Sequence, residues 1–131
     1  MENALRAALI EWLRADPALA DINAIEEETP VAASTPWLGI AASASRDWGT
    51  KDRQGREVRI AFELESRTDN PAADSGLLGR IETRIRNLPP FHADFELASI
   101  RFLRSRSETR ANNLQGGLLE FRVRLFAPLN S

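Results

Sequence analysis

WLGIAASASRDWGTKDRQGREVRIAFELES, residues Trp37–Ser66, is the stretch whose reading decides the fold. From Glu57 onward Val58, Ile60, Phe62 and Leu64 alternate with Glu57, Arg59, Ala61, Glu63 and Glu65. A period of two gives an antiparallel strand with one apolar face and one wet face. Trp37 to Ser45 reads as the strand before it, with Leu38, Ile40 and Ala42 on one side. Pro36 stands at its entrance, where a missing N–H costs no ladder bond. The eleven residues Arg46 to Arg56 between the strands exceed what a hairpin turn requires. They carry Trp48 among six charges, Arg46, Asp47, Lys51, Asp52, Arg53 and Arg56. That composition suits a surface that meets a partner.

The 131 residues, 43% of them hydrophobic, suit one domain spanning residues 1–131. A chain of this size buries roughly two thirds of the surface its unfolded form exposes, enough for a core without metal or disulfide. It contains no cysteine, which excludes thiol catalysis, zinc–thiolate sites and disulfide scaffolds. Seventeen basic and nineteen acidic residues leave a net charge of −2. No global field therefore draws the chain to nucleic acid or to an anionic membrane. No apolar run is long enough to span a bilayer, and no basic segment precedes an apolar one at the N-terminus. The expectation is a soluble cytoplasmic protein with no membrane partner.

Outward from the central hairpin, Leu5, Ala8, Leu9, Trp12 and Leu13 recur at helical spacing and predict a helix from Glu2 to Ala15. Asp16-Pro17 ends it, because the residue before proline avoids helical geometry. Ala18 to Ile25 holds a short turn at most, and Glu26 to Pro30 followed by Val31 to Thr35 reads as a short edge strand or an irregular link. Ser66 to Asn70 is a polar turn, with Asn70 as N-cap and Pro71 at the first position of a second helix. That helix presents Leu77, Leu78, Ile81, Ile85 and Leu88, and Gly76 and Gly79 suggest close packing. Phe95 to Arg106 forms a third strand whose pattern slips by one, which a bulge near Ala98-Ser99 reconciles. Ser105 to Gly117 reads as a long polar connection. Leu118 to Pro128 is the last strand, with Leu119, Phe121, Val123 and Leu125 inward. The expected fold is α+β in αββαββ order: a four-stranded, mainly antiparallel sheet with two helices packed on one face.

Little here suggests catalysis. His92, the lone histidine, sits in the loop Pro89–Asp94 with no partner for a triad or metal site in the pattern. Glu26-Glu27-Glu28 reads as a solvated link. Gly116-Gly117 lacks the spacing of a phosphate loop and reads as a turn. Arg101, Arg104, Arg106 and Arg110 form the one basic concentration and a second candidate surface. With Arg46, Arg53 and Arg56 they define the nucleic-acid alternative, which the acidic balance and missing aromatic interleaving oppose. A ligand-binding or enzymatic domain is the weakest alternative. The expectation is no enzyme, no cofactor and no metal. Arg46, Asp47, Trp48, Lys51, Asp52, Arg53 and Arg56 form the first candidate interface.

The assembled pattern resembles the tail-completion or tail-terminator proteins of long-tailed phages and phage-derived gene transfer particles. The resemblance rests on the helix Leu5 to Leu13 running into Ala15–Leu19, on Pro36-Trp37-Leu38, and on Arg46-Asp47-Trp48-Gly49-Thr50 before an alternating strand. It extends through the helix ending in Asn87-Leu88 to the closing Gly-Gly and the strand Leu118 to Phe126. It implies a fold similar to the lambda-type tail terminator and a structural role. On that likeness the protein forms a ring, typically of six copies, caps the tail tube and supplies the head-joining surface. Its partners would be the major tail tube protein and head–tail connector proteins. It would assemble in the bacterial cytoplasm before becoming part of the particle, with no specific nucleic-acid binding.

Overall fold

The computed structural model describes residues 1–67 and 71–129. Helix α1 (Glu2–Arg14) leads through a 3₁₀ turn (Pro17–Leu19) to a short strand β1 (Ala24–Glu26). The hairpin β2 (Trp37–Asp47) and β3 (Gly55–Arg67) follows, then helix α2 (Pro71–Arg86), then the hairpin β4 (Glu96–Arg110) and β5 (Leu114–Phe126). The sheet runs β1-β2-β3-β5-β4, all pairs antiparallel except β1 with β2. The α+β class and the two hairpins agree with the sequence reading. The strand count does not, because five strands replace the expected four.

The additional strand is only three residues long, too short to carry a periodic signal. Its neighbours hold it. Asn23 donates from its backbone to the Pro36 carbonyl at 2.8 Å and from its side chain to Thr35 O at 2.9 Å. From α1, Arg14 donates to Ile25 O at 2.7 Å and pairs with Glu26 at 2.8 Å. The stretch Glu26 to Thr35, expected to be a short edge strand or an irregular link, is irregular after Glu26 and leads back to β2. On the way it passes the Gly39 side of β2, where a Cβ would lie 2.8 Å from the Glu28 carbonyl oxygen.

Both helices lie on the face that holds the alternating apolar residues. Leu5, Leu9 and Leu13 of α1 and Leu77, Ile81 and Ile85 of α2 join one buried cluster with the β3 and β5 stripes. That cluster includes Val58, Ile60, Phe62 and Leu64 from β3 and Leu119, Phe121, Val123 and Leu125 from β5. Asp16 ends α1 as expected and caps the 3₁₀ turn, accepting from Ala18 N at 3.0 Å. The two helices are clamped at one end. Arg84 lies 3.3 Å from the Trp12 ring centroid, donates to Trp12 O at 2.9 Å, and accepts from the indole N–H at its own carbonyl at 2.6 Å. The expected Asn70 cap lies outside the described residues, and so does most of the Ser66–Asn70 turn; Ser66 and Arg67 belong to β3.

Several local expectations change. A bulge between Ile40 and Ala42 turns Ala42 to the face opposite Leu38 and Ile40. In β4 the bulge expected at Ala98 is present between Leu97 and Ser99, and a second lies between Phe102 and Arg104. Ser105 to Gly117 is no long connection: β4 and β5 continue to a tight turn at Ala111–Leu114. There Asn112 and Asn113 take φ of 62° and 60°, the left-handed values that asparagine tolerates in such hairpins. Gly116-Gly117 is consequently inside β5. Gly117 admits Leu78 of α2, whose Cδ1 would be 2.9 Å from an added Cβ. Gly79 faces open space, so it does not serve close packing.

Candidate interaction surface

Alternation sends most charged residues of β2, β3, β5 and β4 to the face opposite the helices, Asp47 and Arg56 excepted, and the ladder registers sort them into cross-strand rows. One row is Arg46, Glu57 and Arg124, another Ala42, Ala61, Glu120 and Arg104, and between them run Ala44, Arg59, Arg122 and Arg101. In the first two rows every charge is paired with one of opposite sign. Glu57, 2% exposed, accepts from Arg46 at 3.0 Å and from Arg124 at 3.0 Å. The Arg124 hydrogen bond foremost, aided by Arg46, holds its carboxyl below the ordinary value against the opposing effect of burial. Arg104 grips Glu120 with two bonds at 2.8 and 3.0 Å, which lowers that carboxyl and raises the guanidinium. The middle row has no such pairing.

A further network lies toward the β4–β5 turn. Arg110 reaches Glu63 at 2.6 Å, Glu108 at 2.9 Å and Glu65 at 3.8 Å. Burial works against its charge, but the bonds to Glu108 and Glu63 outweigh it and raise its pKa. Gly116 makes this possible, because the Arg110 guanidinium occupies the space where a Cβ at position 116 would stand.

The first candidate interface is more folded-in than its sequence suggests. Arg46, Asp47 and Arg56 belong to the strands, leaving a loop of seven residues, Trp48–Gln54. Trp48 N donates to Gly55 O at 3.0 Å, Thr50 N donates to Arg53 O at 2.8 Å, and Asp47 accepts from Gly49 N at 3.4 Å. Trp48 is half-buried against Phe126, ring centroids 4.9 Å apart, with Arg124 5.2 Å from its own centroid. Arg53 lies over Phe126 at 4.5 Å, donates to Ala127 O at 3.0 Å and pairs with Glu96 at 3.3 Å. Lys51 and Asp52 form the exposed tip, and Arg56 is exposed beside it.

The second candidate set divides. Arg104 and Arg110 are committed to carboxylates, Arg106 lies 3.9 Å from Glu108, and Arg101 joins the unpaired row. Arg59 and Arg122, which complete that row, did not stand out in the sequence. Their signal was their outward position in two alternating strands, but only the register places them side by side. His92 stacks on Phe95 at 4.3 Å and contacts Pro89 O at 2.6 Å, a structural role in its loop. Among the described residues no group of three or more His, Asp or Glu could hold a metal ion. No helix there is long and apolar enough to cross a membrane.

A comparison with solved structures finds a chain from the virion of a native gene transfer agent particle, at TM-score 0.78 and 16% identity. The match covers 93% of this chain and 94% of that one. At that identity the likeness concerns the fold. Comparison with curated proteins returns no match. The profile of the family described as tail completion protein gp17 matches residues 7–125, from within α1 to the end of β5. The chain belongs to the tail completion protein gp17 family, whose role in the virion is structural.

Proposed function

We propose that this protein is a tail terminator: its copies close into a six-membered ring that caps the finished tail tube and offers the surface to which the head joins. The family match over residues 7–125 carries this reading. The fold shared with a chain of a gene transfer agent virion supports it. A ring needs a heterologous contact between two different patches of one subunit. The sheet face opposite the helices, to which Arg46 belongs, and the β2–β3 loop end, with Asp47, Trp48, Lys51, Asp52, Arg53 and Arg56, provide charged surfaces for such contacts. Partners on this reading are further copies of the chain, the major tail tube protein and the connector proteins of the head. Assembly takes place in the bacterial cytoplasm, and the ring then remains in the particle.

The nucleic-acid alternative finds less support, because Arg104 and Arg110 are held by Glu120, Glu63 and Glu108 and lack the free charge a phosphate grip uses. The test is to assemble tail tubes from their purified subunit with and without this protein. Tubes that acquire a cap at one end and become competent to join heads are expected. Tubes whose ends and head-joining are unaltered by it would refute the terminator role.

A further inference from the structure

The row Arg59, Arg122 and Arg101 is an electrostatic anomaly. Three guanidinium side chains stand directly opposite one another on β3, β5 and β4, an arrangement that repulsion makes unfavourable. None of the three makes an ion pair or hydrogen bond among the described residues, although Arg59 is close enough to Glu120 to help lower its pKa. The Nε of Arg122 is buried with no hydrogen-bond partner, an arrangement that costs free energy unless something satisfies it. Beside Arg59 a hollow of about 230 Å³ opens over Ala42, Ala44 and Ala61, bounded by Glu120 and Leu103. The surface thus presents unpaired positive charge next to an apolar depression. The carboxylates of the flanking rows are already taken, Glu57 by Arg46 and Arg124 and Glu120 by Arg104. The hollow beside the row is lined by Ala42, Ala44 and Ala61, which suits an apolar side chain and not a phosphate backbone. A discrete carboxylate fits better than a polyanion.

The same chain exposes a matching segment. Glu26, which ends β1, and Glu27, which opens the link after it, pair with Arg14 and Arg6, but Glu28 has no ion-pair partner among the described residues. Three residues on, Val31 is fully exposed, at 103%. The link lies at the β1 end of the sheet order, whereas the arginine row runs across β3, β5 and β4.

We propose that, in the ring, the Glu28–Val31 link of one copy docks on the outer sheet face of the next. Glu28 meets the Arg59–Arg122–Arg101 row, and Val31 fills the hollow over Ala42, Ala44 and Ala61. This rests on the ring reading above and names the two patches of its heterologous contact. It also brings to the arginine row a carboxylate partner that the row lacks within its own subunit.

The experiment compares ring formation, by light scattering, of wild type, Arg59→Glu/Arg101→Glu, Glu28→Arg, and the variant carrying all three changes. Circular dichroism and melting verify that each variant folds. Each one-sided reversal is expected to weaken association about tenfold or more, and the combined swap to recover much of the loss. A cysteine pair placed by Val31→Cys and Ala44→Cys gives a second readout, since the chain has no other thiol. A cross-link between copies in wild-type-like rings is expected. Rings that form with one-sided reversals and give no cross-link would overturn this pairing while leaving the ring intact. Loss from the arginine reversal without loss from Glu28→Arg would show another occupant, and so would loss of DNA binding on arginine reversal; either overturns the named contact. A wild type that stays monomeric, alone and with tail tubes, would overturn ring and pairing together.

Discussion

Trp48→Ala tests whether the β2–β3 loop is docked on the sheet as the structure has it. A fully buried indole hides roughly 150–250 Å² from water. Trp48 is half-buried on Phe126, so its removal returns on the order of 100 Å² to solvent. At about 25 cal/mol per Å² that amounts to roughly 2.5 kcal/mol, trimmed to about 2 because a compact denatured chain already hides part of it. The offset contact with the Phe126 ring adds roughly 0.5–1 kcal/mol. The expected cost is therefore about 2.5–3 kcal/mol, a large share of the 5–15 kcal/mol typical of a domain but less than the whole. Urea denaturation followed by circular dichroism should show the midpoint fall by about 1–3 M, given slopes of roughly 1–3 kcal/mol per M. Phe126→Ala and the double variant complete a cycle whose coupling should be about 0.5–1.5 kcal/mol. A midpoint within about 0.3 M of wild type, or strictly additive single changes, would refute the docked loop.

The other predictions concern core, backbone and pH. Phe62→Ala removes a ring that is 0% exposed and meets Phe121 edge-on at 6.2 Å; a loss of about 3–5 kcal/mol in chemical denaturation is expected. Gly117→Ala should destabilise by about 1–3 kcal/mol because its Cβ would strike Leu78. Gly79→Ala, with nothing within 4 Å, should stabilise by up to about 1 kcal/mol; melting of the two variants in opposite directions is the check. The carboxyls of Glu57, Glu120 and Glu2 all sit below the ordinary 4.5. For Glu57 and Glu120 the foremost cause is an arginine, and for Glu2 it is the Ser43 hydroxyl. Their contribution is present in full above the unfolded value and disappears as pH falls through the folded ones. Melting temperature should therefore drop on acidification below about pH 4.5, and less steeply in Glu57→Gln.

What the sequence made legible was whatever repeats locally. The α1 stripe and the alternation of β3 and β5 needed only their own period, and the slip at Ala98 revealed a bulge before any partner strand was known. β1 was not legible because three residues cannot display a period; it exists through Asn23 and Arg14, which reach it from elsewhere. Ser105 to Gly117 looked like a loop because it is mostly polar, and its two apolar side chains, Ala111 and Leu114, show no alternation. The asparagine pair at the turn and the ladder, not hydrophobicity, extend those strands. The site was less legible than the fold. Arg110 and Glu63 are far apart in sequence and meet only because Gly116 clears the path, and the arginine row exists only once the registers of β3, β4 and β5 are fixed.

The central claim is that these subunits close head-to-tail into a ring that caps a tail tube. It is tested most directly by class-averaging electron-microscope images of the purified protein, alone and mixed with tail tubes. The account predicts a closed ring of six subunits that seats on one tube end. A particle that remains monomeric under both conditions, or a two-fold dimer whose like surfaces face each other, would contradict it.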